Sequence, residues 1–223
     1  MKLIAFDVDG TLLDTLDTIN YHVNDTLVDY GFKEVNDAKY MLSILGYGSY
    51  YLIEKSIQYH EKDYDNKEKI EEVLQEYTKR YNANPSYLTK IYPGLEDLVR
   101  YLKENDYLVA AYSNKPDKVL KPLMVDIFEE GLFDYIEGQK VGVPSKPHPQ
   151  VLNTIVEMFE MDKDQVVYVG DSDVDVETAK NAGVVSLAVS WGFRSREFLE
   201  NLSPDYLVDT AEEAREVIDK LRG

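Results

Sequence analysis

Four short runs of apolar residues lie along the chain, each bounded by acidic residues or glycine. They are residues 2–6, 107–112, 166–169 and 184–189. A continuous apolar run of this length is typical of a strand buried on both faces, as strands of parallel sheets are. The pattern therefore predicts four strands of a parallel sheet.

Between these strands the apolar positions recur every three to four residues. This spacing is found in residues 94–104, 116–129, 147–160 and 174–182. Apolar residues at this spacing form one face of an α-helix, and Gly183 follows the last stretch as a helix terminator. Strands alternating with helices predict an α/β fold, in which helices cover both faces of the sheet.

One long segment interrupts this alternation, because residues 14–88 contain helical patterns and no convincing strand. Helices are predicted for residues 15–30, 37–45, 49–59 and 66–82. We therefore predict an inserted helical domain of residues 15–87 and an α/β core of residues 1–14 and 88–223. Two adjacent hinge strands, residues 14–15 and 88–91, would let the insert move as a lid.

The composition narrows the classes of function. The chain has 42 Asp and Glu against 24 Lys and Arg, a formal net charge of −18, which disfavours nucleic-acid and anionic-membrane partners. With no cysteine there is no thiolate nucleophile and no Cys-based metal site, and three histidines make a His-rich metal site improbable. The first residues reach the charged Asp7 after four apolar residues, so we expect neither a signal peptide nor a membrane span, and a cytoplasmic protein.

The first strand is followed directly by the sequence Asp7-Val8-Asp9-Gly10-Thr11. Open parallel sheets place their ligands at the carboxyl ends of the strands, so these residues lie where a site is expected. Gly10 allows a sharp turn that would present Asp7 as a nucleophile or metal ligand and Asp9 as a proton-transfer group. An isolated segment of this kind would be only an acidic turn.

A second acidic segment, Gly170 to Asp175, follows another predicted strand. Its alternating aspartates resemble a calcium loop, but Val176 and Ala182 stand where that loop needs Gly and Glu. Crowding Asp7, Asp9 and Asp171 together would raise their pKa values unless a cation neutralised them. Oxygen ligands alone select a hard ion, and we predict Mg²⁺.

Two further segments end at the same predicted edge. Ser113-Asn114-Lys115 offers a hydroxyl, an amide and backbone N–H groups before a helix, which suits a phosphate, although a simple helix cap has the same composition. Lys146 stands in a proline-held loop, where a lone lysine is usually solvated. Beside a phosphoryl group it would stabilise charge on the equatorial oxygens.

Together, DVDGT at residues 7–11, Ser113, Lys146 and GDSDVD at residues 170–175 resemble the four motifs of the haloacid dehalogenase superfamily, in the same order and at strand ends. Further segments are similar to its phosphoglycolate phosphatase-like branch, namely LDTLDTI, Gly46-Tyr47-Gly48, YPGLEDLVRYLK, SNKP, LFDYIEGQ and VPSKPHP. This resemblance implies a Rossmann-like parallel-sheet core, with the insert as the small helical cap of that superfamily.

The resemblance also implies a role for each matching residue. Asp7 would be the nucleophile, Asp9 the general acid and base, and Mg²⁺ would be held by Asp7, the Asp9 carbonyl and Asp171. Lys146 would screen charge. The remaining implied positions are Thr11, Ser113 and Asn114 for placing Asp9 and the phosphate, Asp175 for orienting Lys146 or a metal-bound water, and Gly10 and Gly170 as supporting residues.

Three positions are weaker hypotheses. Lys115 could meet an acidic substrate tail, with a solvated surface lysine as the alternative. Gly46 and Gly48 could form a cap loop that approaches the substrate, although an interhelical turn explains them nearly as well.

We therefore predict a Mg²⁺-dependent phosphatase of a small phosphorylated metabolite, with 2-phosphoglycolate as the branch-level candidate. A sugar phosphomutase and an inorganic pyrophosphatase are the alternative enzymes, and a phosphoaspartate switch module without turnover is the alternative class. Asp9 and the cap both favour turnover. A monomer and a homodimer both remain open.

Overall fold

The structure, a computed structural model, describes residues 2–222. Its strands are β1 (Leu3–Phe6), β2 (Leu13–Asp14), β3 (Lys90–Ile91), β4 (Leu108–Pro116), β5 (Tyr135–Gln139), β6 (Val166–Gly170), β7 (Val185–Val189) and β8 (Tyr206–Val208). Its α-helices are α1 (Leu16–Asp29), α2 (Ala38–Ile44), α3 (Ser49–Gln58), α4 (Lys67–Ala83), α5 (Leu95–Glu104), α6 (Asp117–Ile127), α7 (Gln150–Met158), α8 (Asp173–Ala182), α9 (Arg196–Asn201) and α10 (Ala211–Arg222).

The chain divides into two compact units. One comprises Met1–Asp14 and Ile91–Gly223, and the other comprises Thr15–Lys90. β2 and β3 form a two-stranded sheet at the two points where the chain passes from one unit to the other. Within the described range, 2–222, no helix is long and apolar enough to cross a bilayer.

The larger unit is built on a six-stranded sheet with the order β5-β4-β1-β6-β7-β8. Every pair of neighbouring strands is parallel, which confirms the predicted α/β class. The chain proceeds from β1 to one side through β4 and β5 and then to the other through β6, β7 and β8. The carboxyl ends of β1, β4 and β6 therefore flank the point where the strand order reverses, which is where such sheets place ligands.

Successive residues of β1 enter different cores, because side chains alternate across a strand. Ile4 and Phe6 belong to the core that α5, α6 and α10 cover, and Leu3 and Ala5 belong to the core that α7 and α8 cover. All four side chains are fully buried. Helices thus cover the sheet on both faces, as the continuous apolar run predicted.

The second unit contains α1, α2, α3 and α4, and within it α1 packs against α3 and α4. Buried apolar residues such as Val23, Leu27, Ile70 and Val73 line α1 and α4 at helical spacing. Arg80 on α4 forms ion pairs with Asp25 and Asp29 on α1. The four predicted helices of the insert match these helices to within one or two residues at each end.

The structure differs from the sequence expectations in two respects. β4 continues to Pro116, so Ser113 to Lys115 lie within the strand rather than after its end. The register of the pairing between β4 and β5 shifts between Tyr112 and Pro116. β5, β8, α9 and α10 were not among the predicted elements.

Candidate active site

The segment after β1 folds into a tight loop that closes on itself. The Asp7 N–H donates to the Val169 carbonyl of β6 at 2.8 Å, which continues the sheet. The N–H groups of Leu12 and Leu13 then both donate to the Val8 carbonyl, at 3.0 and 2.9 Å. Gly10 adopts a φ of +87°, a conformation that glycine accommodates without strain. The predicted sharp turn is therefore present.

Three buried carboxylates meet at this edge. Asp7, Asp171 and Asp175 each offer an oxygen, and these oxygens lie within 4.8 Å of one another. Asp171 is held on both sides, because the Thr11 hydroxyl donates to Oδ1 at 3.1 Å and the Phe193 N–H donates to Oδ2 at 2.6 Å. The structure thus joins Asp7 and Asp171, as predicted from the strand ends, and adds Asp175 to them.

Asp9 has a different partner. Its Oδ2 lies 3.1 Å from the ammonium of Lys115, and the Asp9 side chain is 19% exposed. Lys115 is itself buried in β4, and its N–H donates to the Ser113 hydroxyl at 3.2 Å. The lysine for which the sequence suggested an acidic substrate tail is thus ion-paired with an aspartate of the site.

Lys146 lies at the centre of the cluster. Its Nζ is 2.7 Å from Oδ1 of Asp7 and donates a hydrogen bond of 2.7 Å to Oδ1 of Asp175. The contact with Asp7 is an ion pair without hydrogen-bond geometry. Among the described residues, the buried Oδ1 of Asp7 therefore has no hydrogen-bond partner.

The backbone of Lys146 is fixed by Asn114. The Lys146 N–H donates to Oδ1 of Asn114 at 2.8 Å, and Nδ2 of Asn114 donates to the Lys146 carbonyl at 3.2 Å. Both ends of this side-chain amide thus contact the loop that carries the lysine. The predicted contact of Asn114 with a phosphate stays a prediction.

Asp175 is positioned by the first turn of α8. The Ser172 N–H donates to Oδ2 of Asp175 at 3.1 Å, and the Ser172 hydroxyl accepts from the Asp175 N–H at 3.3 Å, which makes a capping box. A side chain at Gly170 would overlap this carboxylate, since its Cβ would lie 2.7 Å from Oδ2 of Asp175. The absence of a side chain at Gly170 therefore leaves room for the Asp175 carboxylate.

Burial sets the charge states of the cluster. Burial and the nearby Asp175 raise the pKa of Asp7 from 3.8 to about 7, although Lys146 acts in the opposite direction. Burial, with Asp175 and Asp7, likewise raises the pKa of Asp171 well above its usual range. Burial alone would lower the pKa of Lys146, but Asp175 and Asp7 hold it well above its ordinary value. These raised pKa values reflect that ionising all three carboxylates would place more negative charge here than one ammonium neutralises.

The loop after β7 also belongs to this edge. Nε1 of Trp191 donates to the Thr11 carbonyl at 3.0 Å, and Nε of Arg194 lies 3.2 Å from Oδ1 of Asp173. Gly192, between Trp191 and the Phe193 that bonds Asp171, packs against Gly10. From their position after a parallel strand, the sequence indicates that Trp191, Phe193 and Arg194 line the rim of the site, and it favours packing over catalysis for them.

Gly46 and Gly48 lie in the other unit, between α2 and α3. Both have a φ of +94°, and Gly48 is the residue before the first turn of α3. A left-handed backbone explains glycine at both positions. Their predicted contact with a substrate stays a prediction.

Residues 4–189 match the family model described as haloacid dehalogenase-like hydrolase. A phosphoglycolate phosphatase of Aquifex aeolicus is 29% identical, with 98% of this chain and 97% of the relative covered. The corresponding protein of Haemophilus influenzae strain 86-028NP is 26% identical, covering 93% and 94%. A solved structure from Lactobacillus delbrueckii subsp. bulgaricus, a candidate phosphoglycolate phosphatase, superposes with a TM-score of 0.91 at 28% identity, covering 98% and 99%. The chain belongs to the haloacid dehalogenase-like hydrolases, within their phosphoglycolate phosphatase-like branch, and is a phosphatase.

Proposed function

We propose that this phosphatase hydrolyses a small phosphomonoester with the help of Mg²⁺, through a phosphoryl group carried transiently by Asp7. The first candidate substrate is 2-phosphoglycolate, because two relatives that align over nearly the whole chain are phosphoglycolate phosphatases. The observation that carries the proposal is the state of Asp7. Its Oδ1 is buried, without a hydrogen bond, and 2.7 Å from an ammonium.

A carboxylate oxygen with a lone pair not engaged in a hydrogen bond is a competent nucleophile toward phosphorus. Lys146 favours the ionised form of Asp7 and would stabilise negative charge on the phosphoryl oxygens during in-line transfer. In the proposed reaction, Asp7 Oδ1 forms the bond to phosphorus as the bond to the leaving alcohol breaks. Water then attacks the phosphorus, which releases inorganic phosphate and restores Asp7.

The donor set fits a hard divalent ion. Asp7, Asp171 and Asp175 offer only oxygen, and with all three ionised beside one Lys146 the cluster keeps two negative charges. We assign Asp7, Asp171 and the Asp9 carbonyl as the ligands, and Asp175 as the residue that orients Lys146. Mg²⁺ bound there would neutralise the cluster and polarise the phosphoryl oxygens.

We assign the proton transfers to Asp9. It would protonate the leaving alcohol and then accept a proton from the attacking water. Its ion pair with Lys115 links the carboxylate to β4. We assign Thr11, Ser113 and Asn114 to the placement of the phosphate and of Asp9. We also assign Lys115 to an acidic substrate tail.

Specificity is assigned to the second unit. We propose residues 15–87 as the cap that selects the leaving group, with Gly46 and Gly48 in its substrate-facing loop. The α/β core would then supply the chemistry common to many phosphomonoesters. Exchanging this segment for that of a relative should change the order of substrates and leave the Mg²⁺ requirement unchanged.

The test is phosphate release by the purified protein from 2-phosphoglycolate, a sugar phosphate, a nucleoside monophosphate and pyrophosphate, each with Mg²⁺ or EDTA. We expect release that requires Mg²⁺, with the highest kcat/KM for 2-phosphoglycolate. Isomerisation of the sugar phosphate without release would identify a mutase. A stable phosphoprotein without release would identify a switch module, and either result would overturn the proposal.

A second prediction concerns stability in the absence of metal. The folded pKa of Asp7, about 7, lies above its unfolded value of 3.8. Its contribution to stability is therefore complete below about pH 4 and is lost as the pH rises toward 7. Mg²⁺ needs the ionised ligands, so its stabilising effect should grow with pH. On addition of Mg²⁺ we expect the melting temperature to rise by about 5 °C or more at pH 8 and by roughly 1 °C at pH 5.

Asp7→Asn is the control for this titration, because it removes the ionisable group and keeps the shape. In the metal-free state, the difference in unfolding free energy between wild type and this variant should move against the wild type as the pH rises from 4 to 7. A difference that stays constant over this range would show that Asp7 does not titrate as described. Denaturant unfolding at each pH measures it.

A further inference from the structure

Tyr168 is a buried ionisable residue to which the proposed reaction gives no role. It lies on β6, two residues before Gly170, and is 1% exposed. Its hydroxyl oxygen accepts a hydrogen bond from Nζ of Lys146 at 3.1 Å. As a donor, the hydroxyl has two acceptors within reach, the Tyr112 carbonyl of β4 at 3.2 Å and Oδ1 of Asp175 at 3.4 Å. The hydroxyl therefore lies between the lysine, the Asp175 carboxylate and the backbone of β4, which β1 separates from β6 in the sheet.

We propose that Tyr168 is a positioning residue that, together with Asp175, fixes the ammonium of Lys146 beside Asp7. This inference rests on the proposed role of Lys146 in phosphoryl transfer. Tyr168 itself touches neither substrate nor Asp7 in this assignment, so it acts through the lysine.

The geometry of Lys146 shows why a second anchor matters. The contact with Asp7 lacks hydrogen-bond geometry, so the directional bonds of the ammonium are those to Asp175 and Tyr168. An ammonium bound to Asp175 alone could rotate about a single bond, because the lysine side chain is long and flexible. Two acceptors in different directions remove that freedom. They place the positive charge beside Asp7.

The aromatic surroundings support the same role. Nζ of Lys146 lies 5.6 Å from the ring centroid of Tyr112, within the range of cation–π attraction. Burial raises the pKa of Tyr168 well above its usual range, so the phenol stays neutral and donates one hydrogen bond while it accepts another from Lys146.

The chain offers a matched control in the same cluster. The Tyr112 hydroxyl is also buried, but among the described residues it has no hydrogen-bond partner. Tyr112→Phe therefore removes a buried hydroxyl and keeps the ring, without touching a bond to Lys146. Tyr168→Phe makes the same chemical change at the hydroxyl that Lys146 uses.

The kinetic test measures kcat and KM of both variants with the best phosphomonoester substrate. A hydrogen bond to a charged group is lost only in Tyr168→Phe, and we expect its kcat to fall about tenfold with KM within about twofold of wild type. Tyr112→Phe should match wild type. In a Lys146→Met background, Tyr168→Phe should cause no further loss, because its effect passes through the lysine. Equal losses in both phenylalanine variants, or an undiminished loss in the Lys146→Met background, would overturn the inference in favour of a packing role.

A second measurement does not depend on turnover. In ¹⁵N-lysine-labelled wild-type protein, the Lys146 ammonium, identified by its disappearance in Lys146→Met, should exchange its protons slowly, as a buried and anchored group does. Tyr168→Phe should accelerate this exchange, and Tyr112→Phe should not. Rapid exchange in wild type would overturn the anchoring even if the enzyme hydrolyses phosphomonoesters. Slow exchange in a protein that releases no phosphate would retain the anchoring and reject the proposed function.

Discussion

Asp7→Asn should lower kcat by about 10⁴-fold or more for every phosphomonoester that the wild-type protein hydrolyses. The amide cannot form the bond to phosphorus that the proposed reaction requires, and loss of a nucleophile is among the most damaging changes in covalent catalysis. The variant should nevertheless fold, because it replaces a buried carboxylate whose ionisation is already costly. Steady-state phosphate release measures the loss, and intact-protein mass after an acid quench shows whether a phosphoprotein still forms.

Asp173→Asn is the matched control for this experiment. Asp173 lies in the other acidic segment, at the start of α8, and its carboxylate is ion-paired with Arg194. Its replacement removes the same charge close to the site, and activity should change by less than about threefold. A similar loss in both variants would mean that net charge, not nucleophilic attack, explains the result. Wild-type turnover by Asp7→Asn would contradict the assignment of the nucleophile.

The central strands were predictable because their burial is visible in the sequence. β1 and β6 are apolar almost throughout, since a strand with neighbours on both sides and helices on both faces meets no water. β5 and β8 were not predicted because they are the edge strands of the sheet, which are less buried. β5 reads YIEGQ and β8 has only three residues, so neither shows a long apolar run. α10 does carry apolar residues at helical spacing, and its pattern was sufficient to predict it.

The sequence predicted where the site lies, at the carboxyl ends of the strands, but not which side chains pair there. Parallel topology places the segments after β1, β4 and β6 at one edge, which was enough to bring Asp7 and Asp171 together. The choice of partners depends on which side chains from different strands and loops meet in space, and no local pattern encodes that. The pairing of Lys115 with Asp9 is one example. The hydrogen bond from Lys146 to Tyr168 is another, because Tyr168 reads in the sequence as one more buried strand residue.

Gly192 illustrates a functional requirement that is visible only in three dimensions. A Cβ built on this residue would overlap the carbonyl oxygen of Gly10 and would lie 2.5 Å from Cγ of Asp171. The next residue, Phe193, donates its N–H to the same carboxylate at 2.6 Å. The loop after β7 therefore contacts Asp171 on one side, and the Thr11 hydroxyl donates a hydrogen bond to its carboxylate on the other. Even one methyl group must displace the proposed metal ligand or the loop that carries Asp7.

Gly192→Ala should therefore weaken Mg²⁺ binding by roughly 10- to 100-fold and lower kcat/KM at limiting Mg²⁺ by a similar factor, because residues that orient a ligand govern the affinity of the site. Calorimetric titration with Mg²⁺ and activity across a Mg²⁺ series measure both. Gly131→Ala is the control, since its φ of +89° makes alanine strained there but its Cβ meets no atom within 4 Å. It should cost about 1 kcal/mol of stability and leave Mg²⁺ affinity unchanged. If Gly192→Ala bound Mg²⁺ as wild type does, Asp171 would not be held by this loop, and the assignment of Asp171 as a metal ligand would lose its structural support.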